Sequence, residues 1–488
     1  MSIERFVKTL PELQEIAQKL KVLAQKRKNG IIRYQQTVFD SCFIDRGRIN
    51  LNRCGLITSY NSEDLDERIF SSIHGEELFP FNIPEFEEWR KREEIPFVFT
   101  HKGYALPTGT IEEYRPIPNN YEQWDEDFRL FTQEYKNERI TRDFGVKQQI
   151  IVNSRGGILI LSRPLFALYY RQGYSPNMVT RSLGAYVSTN EEIDRLPNLI
   201  RYLSDPTPGG RIRNAPTFTD AFAQLHQISH RIVYPDLKSA GMANHLTHDV
   251  IMLCGVPVHE IFGHQFEEPI LPLQVGQQSL FPVGKNVQNS KIVLSDDPRL
   301  RIEGLEALGS FHYDAYGRPT RKKVHIQNSE VKEHLGSEYV DLKNLDTFLG
   351  IKQSDSLGNA RQGSEGFFPQ PRMSCTVLEG QEIEDISWDG KLLMVPSQGY
   401  VLDGNFFKLL SNECYKMGAN GQPQRVCALE GSRAIYDAMI GMHILPGISY
   451  HIGSCSKPCV LEEGNESEIT VSIFTNHQLW ENLTLRSV

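Results

Sequence analysis

Residues 258–264 read Val-His-Glu-Ile-Phe-Gly-His, and this stretch places two histidines, His259 and His264, around the carboxylate of Glu260. Neutral imidazoles can ligate a catalytic zinc ion, and a carboxylate beside them can act as a base toward a metal-activated water. The stretch therefore predicts a metal-hydrolase site with two histidine ligands and Glu260 as the general base. The alternative is a helix whose two histidines and surface glutamate only pack and form hydrogen bonds.

The two histidines lie five residues apart, one more than in the common zinc-protease motif His-Glu-x-x-His. An ideal α-helix turns by about 100° per residue, so side chains five residues apart point about 140° apart and do not share a face. Two ligands at this spacing need a locally unwound helix, for which a π-type turn is the obvious device. Gly263, next to His264, lowers the cost of such a distortion.

A catalytic zinc site usually takes three protein ligands, so a third must come from elsewhere in the chain. Several potential ligands lie near the helix in sequence: His245, His248, Cys254, Glu267 and Glu268. Far downstream, residues 453–459 read Gly-Ser-Cys-Ser-Lys-Pro-Cys and offer Cys455 and Cys459. A thiolate is a strong zinc ligand, and Lys457 would help to keep the sulfur deprotonated. From the residues alone, however, Cys455 is better explained as a small buried side chain.

The whole chain has the composition of a soluble globular protein. Its 488 residues favour two or more domains with enough apolar material for real cores. The net charge of −9 does not suggest nucleic-acid binding. No targeting segment or membrane span stands out, and the eight scattered cysteines do not indicate a disulfide framework. We therefore expect a cytoplasmic protein that binds neither nucleic acid nor membrane.

Helical and strand patterns both occur along the chain. Apolar spacing predicts a helix between residues 11 and 28 and a short buried strand over residues 249–253, just before the His-Glu stretch. Proline and glycine cluster between residues 205 and 216, and we place a domain boundary near Pro235. The sequence predicts the α+β class, with mostly antiparallel sheet and two domains: residues 1–235, and residues 236–488 with the His-Glu helix and the cysteine.

Four motifs occur together in the C-terminal half: His-Glu-x-x-x-His at 259–264, Asp-x-x-Gly-x-Pro-Thr at 314–320, Gly-Asn-Ala-Arg followed by Pro-Arg-Met between 358 and 373, and Gly-Ser-Cys-Ser-Lys at 453–457. In their order and spacing the chain resembles the TldD/PmbA family of zinc metallopeptidases, once called modulators of DNA gyrase. The resemblance covers at least residues 249–459. Within these motifs, Asn359, Arg361 and Arg372 are better explained as residues that brace turns than as site residues.

The resemblance implies that Cys455 is the third zinc ligand. Ser456 replaces the family's usual glycine, and Pro458-Cys459 replaces its Gly-Gln, so Cys459 stays a second candidate. The chain has both the His-Glu motif and the cysteine, and it therefore resembles the catalytic, TldD-like type of the family. The resulting hypothesis is a Zn²⁺ site with Glu260 as general base and three protein ligands, His259, His264 and Cys455.

The resemblance also implies a function and a set of partners. We expect a peptidase that hydrolyses unfolded or flexible peptides, as a dimer with itself or with a motif-lacking family partner. An extended peptide could add to a sheet edge with little sequence preference. Two alternatives stay open: a non-catalytic, peptide-binding or regulatory member of the family, and a zinc amidase of small molecules. A complete ligand set argues against the first, because a non-catalytic chain has no need of Glu260.

Overall fold

The computed structural model of the chain describes residues 3–27, 29–64, 69–75, 91–94, 97–99, 106–173, 178–205, 215–229, 231–267, 280–336, 339–341, 357–363, 368–383, 385–402, 405–458 and 466–488. Two large β-sheets dominate these residues, and short helices cover parts of their faces. None of the helices in this part of the chain is long and apolar enough to cross a membrane.

The helices are α1 (Leu10–Gln25), α2 (Asp125–Glu134), α3 (Asn190–Arg195), α4 (Phe218–Ser229), α5 (His264–Glu267) and α6 (Ile435–Ile440), with 3₁₀ turns at Ile3–Arg5 and Leu196–Tyr202 and a π-helix at Val258–Gly263. The helix predicted between residues 11 and 28 is confirmed as α1. Its first turn is closed by Glu12, whose carboxylate accepts the backbone N–H of Thr9 at 2.7 Å. Its apolar side chains, among them Leu13 and Leu20, are buried.

The first half of the chain supplies strands β1 (Gly30–Asp45), β2 (Arg48–Asp64), β3 (Ile69–Gly75), β4 (Lys91–Glu94), β5 (Phe97–Phe99), β6 (Gly109–Tyr114), β7 (Glu138–Asn153), β8 (Gly157–Gln172) and β9 (Val179–Tyr186). The first sheet has the order β4-β3-β2-β1-β7-β8-β9, all antiparallel, and β6 runs parallel to β8. Alternation sends Val38, Phe144 and Phe166 into a core with α2 and α4, whereas Ile31 and Leu159 pack on a second core.

The second half supplies β10 (Ile232–Tyr234), β11 (Thr247–Met252), β12 (Ile292–Asp296), β13 (Arg301–Ile302), β14 (Leu305–Ala307), β15 (Lys323–Gln327), β16 (Glu330–Val331), β17 (Tyr339–Asp341), β18 (Ala360–Arg361), β19 (Gln370–Pro371), β20 (Cys375–Gly380), β21 (Leu392–Val395), β22 (Gln398–Leu402), β23 (Phe406–Ser411), β24 (Glu413–Met417), β25 (Pro423–Val426), β26 (Leu429–Ala434), β27 (Met442–Pro458) and β28 (Glu466–Ser487). The strand predicted over residues 249–253 lies within β11 and the residue after it.

The second sheet has the order β10-β25-β24-β21-β11-β28-β20-β12-β15-β16, and β26 and β27 also pair with β28. Two small ladders, β5 with β17 and β18 with β19, lie outside both sheets. Mixed helices with mostly antiparallel sheet confirm the predicted α+β class. The division at residue 235 stays a prediction. Strands β13 and β14 follow it in sequence, yet they extend the first sheet, because β14 pairs with β9 and β13 pairs with β14.

Strand β28 is the element that assembles the predicted site. It pairs with β11, which leads into the His-Glu stretch, and with β20, where Thr376 lies opposite Ile473. It also forms a long hairpin with β27, in which Cys455 lies opposite Ile469. Three segments that are distant in sequence are thereby fixed on one strand, and their side chains can meet.

Candidate metal centre

The His-Glu stretch forms the π-helix Val258–Gly263, which continues into α5 at His264. The backbone N–H of His264 donates to the carbonyl of His259, which is the five-residue hydrogen bond of a π turn. This geometry confirms the distortion that the spacing predicted. A Cβ on Gly263 would lie 3.3 Å from Cε of Met373, so the glycine also makes room for a neighbouring segment.

The structure brings His259, His264 and Cys455 together. Their ligand atoms all lie within 4.8 Å of one another, and Nε2 of His264 lies 3.5 Å from Sγ of Cys455. All three side chains are buried. A tetrahedral zinc ion with bonds of about 2.0–2.3 Å holds its ligands roughly 3.5 Å apart. The arrangement therefore needs only a small contraction to hold such an ion.

His259 provides the clearest test of whether a metal fits. Its Nδ1 lies 2.7 Å from Oγ1 of Thr376, whereas its Nε2 is buried and makes no hydrogen bond to any described residue. Leaving a buried polar atom without a partner costs about 1–3 kcal/mol. When Nδ1 donates to Thr376, Nε2 carries a lone pair, and a metal ion would satisfy it. The residues present therefore fit a metal.

His264 is oriented by a buried carboxylate. Its Nδ1 lies 2.7 Å from Oε2 of Glu267, and the same oxygen lies 2.5 Å from Nζ of Lys457. Burial would raise the pKa of Glu267, but Lys457 and His264 outweigh it and hold that pKa well below its usual range. The charged carboxylate fixes Nδ1–H and leaves Nε2 to face the cysteine. Glu267, which the sequence offered as a third ligand, thus lies behind a ligand instead.

Cys455 is held as a thiolate. Burial would raise the pKa of its thiol, but the charge of His264 and the interaction with His259 lower that pKa to about 5. Nη2 of Arg372 donates to Sγ at 3.0 Å and to the Cys455 carbonyl at 2.8 Å. Turn bracing, the favoured of the two explanations for Arg372, is wrong, because its guanidinium contacts the proposed sulfur ligand. Lys457, expected to favour the thiolate, pairs with Glu267.

The two other motif residues do brace turns. Nδ2 of Asn359 donates to the Gly336 carbonyl at 2.9 Å, and Arg361 donates to the carbonyls of Met373 and Thr470. The candidates His245, His248 and Cys254 do not join the cluster. Nε2 of His248 lies 2.7 Å from the Ala243 carbonyl, and the Cys254 thiol donates to the Pro396 carbonyl. Glu268 and Cys459 lie outside the described residues.

Glu260 lies at the accessible edge of the cluster. Its carboxylate is 3.4 Å from Nε2 of His264, and its side chain is 27% exposed although the proposed ligands are buried. Burial would raise the pKa of Glu260, but the hydrogen bond and charge of His264 lower it below its ordinary value. On the other side, a Cβ on Gly399 of β22 would lie 3.0 Å from Cβ of Glu260. An ionised carboxylate is therefore packed beside the cluster and open to a small molecule.

Sequence reasoning gave Thr376 no role, offered Glu267 only as a possible ligand and favoured turn bracing for Arg372. A signal existed for Glu267, since residues three apart on a helix are neighbours and His264 is three residues before it. No local signal points to Thr376, which lies 117 residues from its partner His259.

Comparison with known proteins agrees with this geometry. Residues 253–414 match the family model of the PmbA/TldA metallopeptidase C-terminal domain. This segment belongs to the TldD/PmbA family. The match confirms the family resemblance found in the sequence. No curated protein matches the chain by sequence.

Solved structures share the fold over nearly the whole chain. TldE from Thermococcus kodakarensis is 14% identical with a TM-score of 0.62, and the alignment covers 96% of this chain and 99% of that one. A putative modulator of DNA gyrase from Thermotoga maritima is 15% identical (TM-score 0.56, coverage 98% and 100%). Another from Bacteroides thetaiotaomicron is 10% identical (TM-score 0.58, coverage 98% and 99%). At these identities the likeness shows a shared fold alone.

Proposed function

We propose that this protein is a zinc-dependent peptidase that hydrolyses peptide bonds in unfolded or flexible peptides. One observation carries the proposal: the ligand atoms of two imidazoles and a thiolate lie within 4.8 Å of one another, and an ionised glutamate lies at the open edge of this cluster. One of these atoms, Nε2 of His259, is buried without a hydrogen bond to any described residue. The matching family model describes a metallopeptidase domain, which supports hydrolase chemistry.

The donor set favours zinc among the common metals. Two imidazole nitrogens and one thiolate suit a tetrahedral zinc ion and leave a fourth position open. The proposed ligands are His259, His264 and Cys455. A zinc ion in this site would supply a Lewis acid that activates water and polarises the peptide carbonyl.

The chain's own residues prepare and move the proton. Glu260 accepts the proton of the attacking water and then delivers it to the leaving amine, which its ionised state and its exposure both permit. Thr376 and Glu267 each engage an Nδ1 atom and so present the Nε2 lone pairs of the two histidines. Arg372 donates to the sulfur and keeps it in position.

The test is cleavage of an unstructured fluorogenic peptide by the purified protein, with zinc counted by elemental mass spectrometry. Glu260→Gln should keep its zinc and lose about 10²–10⁴-fold in rate, the usual contribution of a general base. A chelator should abolish cleavage, and added zinc should restore it. A Glu260→Gln protein with full activity would sink the base assignment.

The cysteine ligand and the alternatives are separated by the same two measurements. The Cys455→Ala protein should lose its zinc. If it instead keeps stoichiometric zinc and the Cys459→Ala protein is metal-free, Cys459 is the ligand. Zinc without any cleavage would indicate a peptide-binding or regulatory protein. Cleavage restricted to small amides would indicate an amidase. Dimer formation, with itself or with a motif-lacking partner, is a further prediction that light scattering and pull-down would check.

A further inference from the structure

His451 lies four residues before Cys455 on β27. Side chains alternate along a strand, so residues 451, 453 and 455 point to one face of the sheet. The residue between the two is Gly453, and a Cβ built there would lie 3.8 Å from Nε2 of His451 and 3.9 Å from its Cδ2. The ring therefore lies at van der Waals distance from the position that a Gly453 side chain would occupy, on the face of the strand that also carries Cys455.

The hydrogen bonds of Ser182 fix which ring nitrogen carries the proton. Oγ of Ser182 lies 2.6 Å from the carbonyl oxygen of Ile452 and 2.9 Å from Nδ1 of His451. A carbonyl only accepts, so the single hydroxyl hydrogen is donated to Ile452, and Oγ must accept from Nδ1–H. The neutral ring then carries its lone pair on Nε2.

Nε2 of His451 has no hydrogen-bond partner among the described residues, and the residue is half-buried. Burial and the positive charges of Arg181 and His259 lower the pKa of His451 to about 4, against a smaller opposing effect of Glu260. The ring is therefore neutral near pH 7. His451 does not belong to the ligand cluster, but it lies within electrostatic reach of it.

These features exclude one role and favour another. A neutral ring without a hydrogen on Nε2 cannot donate to a developing oxyanion, so His451 is not an oxyanion-stabilising group. It offers an acceptor beside a glycine, where another backbone can approach closely. The backbone N–H of an extended peptide is the group that matches such an acceptor.

We propose that His451 binds the substrate: its Nε2 accepts a hydrogen bond from a backbone N–H of the peptide close to the scissile bond, above Gly453. The inference rests on the proposed peptidase function. It assigns a substrate contact to a residue outside the proposed metal centre.

Binding can be measured without turnover in the zinc-loaded Glu260→Gln protein. The probe is a labelled, unstructured peptide that the wild-type protein cuts, and fluorescence anisotropy gives its Kd. Adding His451→Ala should raise Kd about tenfold, the usual effect of one lost hydrogen bond to a peptide. In a series of peptides that each carry one N-methylated backbone nitrogen, methylation at one position should raise the Kd of the Glu260→Gln protein as much as His451→Ala does. Methylation at the same position should not raise the Kd further in the Glu260→Gln/His451→Ala protein.

Two further variants separate a substrate contact from a structural role. Ser182→Ala keeps the His451 ring but removes the hydroxyl that holds the proton on Nδ1. It should therefore weaken binding of the unmodified peptide more than binding of the peptide that is methylated at the sensitive position. His451→Gln returns an acceptor near the Nε2 position and should recover part of the affinity. Zinc content should stay stoichiometric in all three proteins.

The failures are distinguishable. A wild-type protein that binds zinc but neither binds nor cuts peptides overturns the proposed function and this inference with it. A wild-type peptidase whose His451→Ala variant keeps its zinc and an unchanged Kd overturns the inference alone. Loss of zinc in His451→Ala, or additive effects of that variant and every N-methylation, also overturns it.

Discussion

Replacing Glu267 with glutamine tests whether the carboxylate behind His264 tunes the metal centre. In the structure this carboxylate is fully buried and accepts from three groups: Nδ1 of His264, Nζ of Lys457 and the backbone N–H of Met373. Glutamine has nearly the same shape but no charge and a single carbonyl oxygen. At least one of the three donors must then face an amide NH₂ group.

The substitution should have two separable effects. Removing one charge of a buried ion pair costs about 3–5 kcal/mol of folding free energy, and the Glu267–Lys457 pair is almost entirely buried. Loss of the carboxylate that orients a metal-binding histidine lowers metal affinity about 10–100-fold. At about 1.4 kcal/mol per factor of ten, this second effect is about 1.4–2.8 kcal/mol of zinc binding.

Urea unfolding of the metal-free protein measures the first effect, and zinc competition with a chromogenic chelator measures the second. The double variant Glu267→Gln/Lys457→Met is the matched control, because it removes the opposing charge as well. It should recover at least half of the lost stability while zinc affinity stays low. Zinc affinity of Glu267→Gln within twofold of wild type would refute the orienting role, and no recovery in the double variant would refute the ion-pair reasoning.

Two other predictions concern the remaining ligands. Thr376→Val should lower zinc affinity about tenfold, because Nδ1 of His259 loses its partner. Thr376→Ser keeps the hydroxyl and should bind zinc like wild type. Equal zinc affinities of Thr376→Val and Thr376→Ser in the chelator competition would contradict this prediction. In the metal-free protein the ultraviolet absorbance of the Cys455 thiolate, taken as a difference from Cys455→Ala, should appear with a midpoint near its pKa of about 5. Because this pKa lies below the ordinary value of 9.0, the thiolate's contribution to stability is complete above pH 9 and declines as the pH falls to about 5. A midpoint at the ordinary value would show that the histidine charges do not act on the sulfur.

The local part of the site could be predicted from the sequence because its determinants are close together in the chain. His259, Glu260 and His264 lie within six residues, and two ligands at this spacing need a locally unwound helix, such as the π turn that the structure contains. The α+β class followed in the same way from local helical and strand patterns.

The distant part could not be predicted from residue patterns alone. Cys455 lies 191 residues beyond His264, and only the family resemblance selected it. Its approach to the histidines depends on the register of β27 on β28, because a shift of one residue would turn the side chain to the other face. Thr376 depends in the same way on the register of β20. Register is a property of the assembled sheet, and neither residue carries a local signal for it.

The hydrogen bonding of the three histidines near this centre follows one rule, and the rule connects the proposed metal site to the proposed substrate contact. Each ring has its Nδ1 engaged by the protein, through Glu267, Thr376 and Ser182 respectively for His264, His259 and His451. Each therefore presents Nε2, and a neutral ring presents it as a lone pair. When their rings are neutral, Nε2 of His259 and Nε2 of His264 converge with a thiolate and would bind a cation, whereas Nε2 of His451 stands apart, beside a glycine, and would accept from a donor. A peptide lying over Gly453 would supply that donor while its carbonyl reached the metal, so one pattern of side-chain hydrogen bonds would prepare both halves of the reaction.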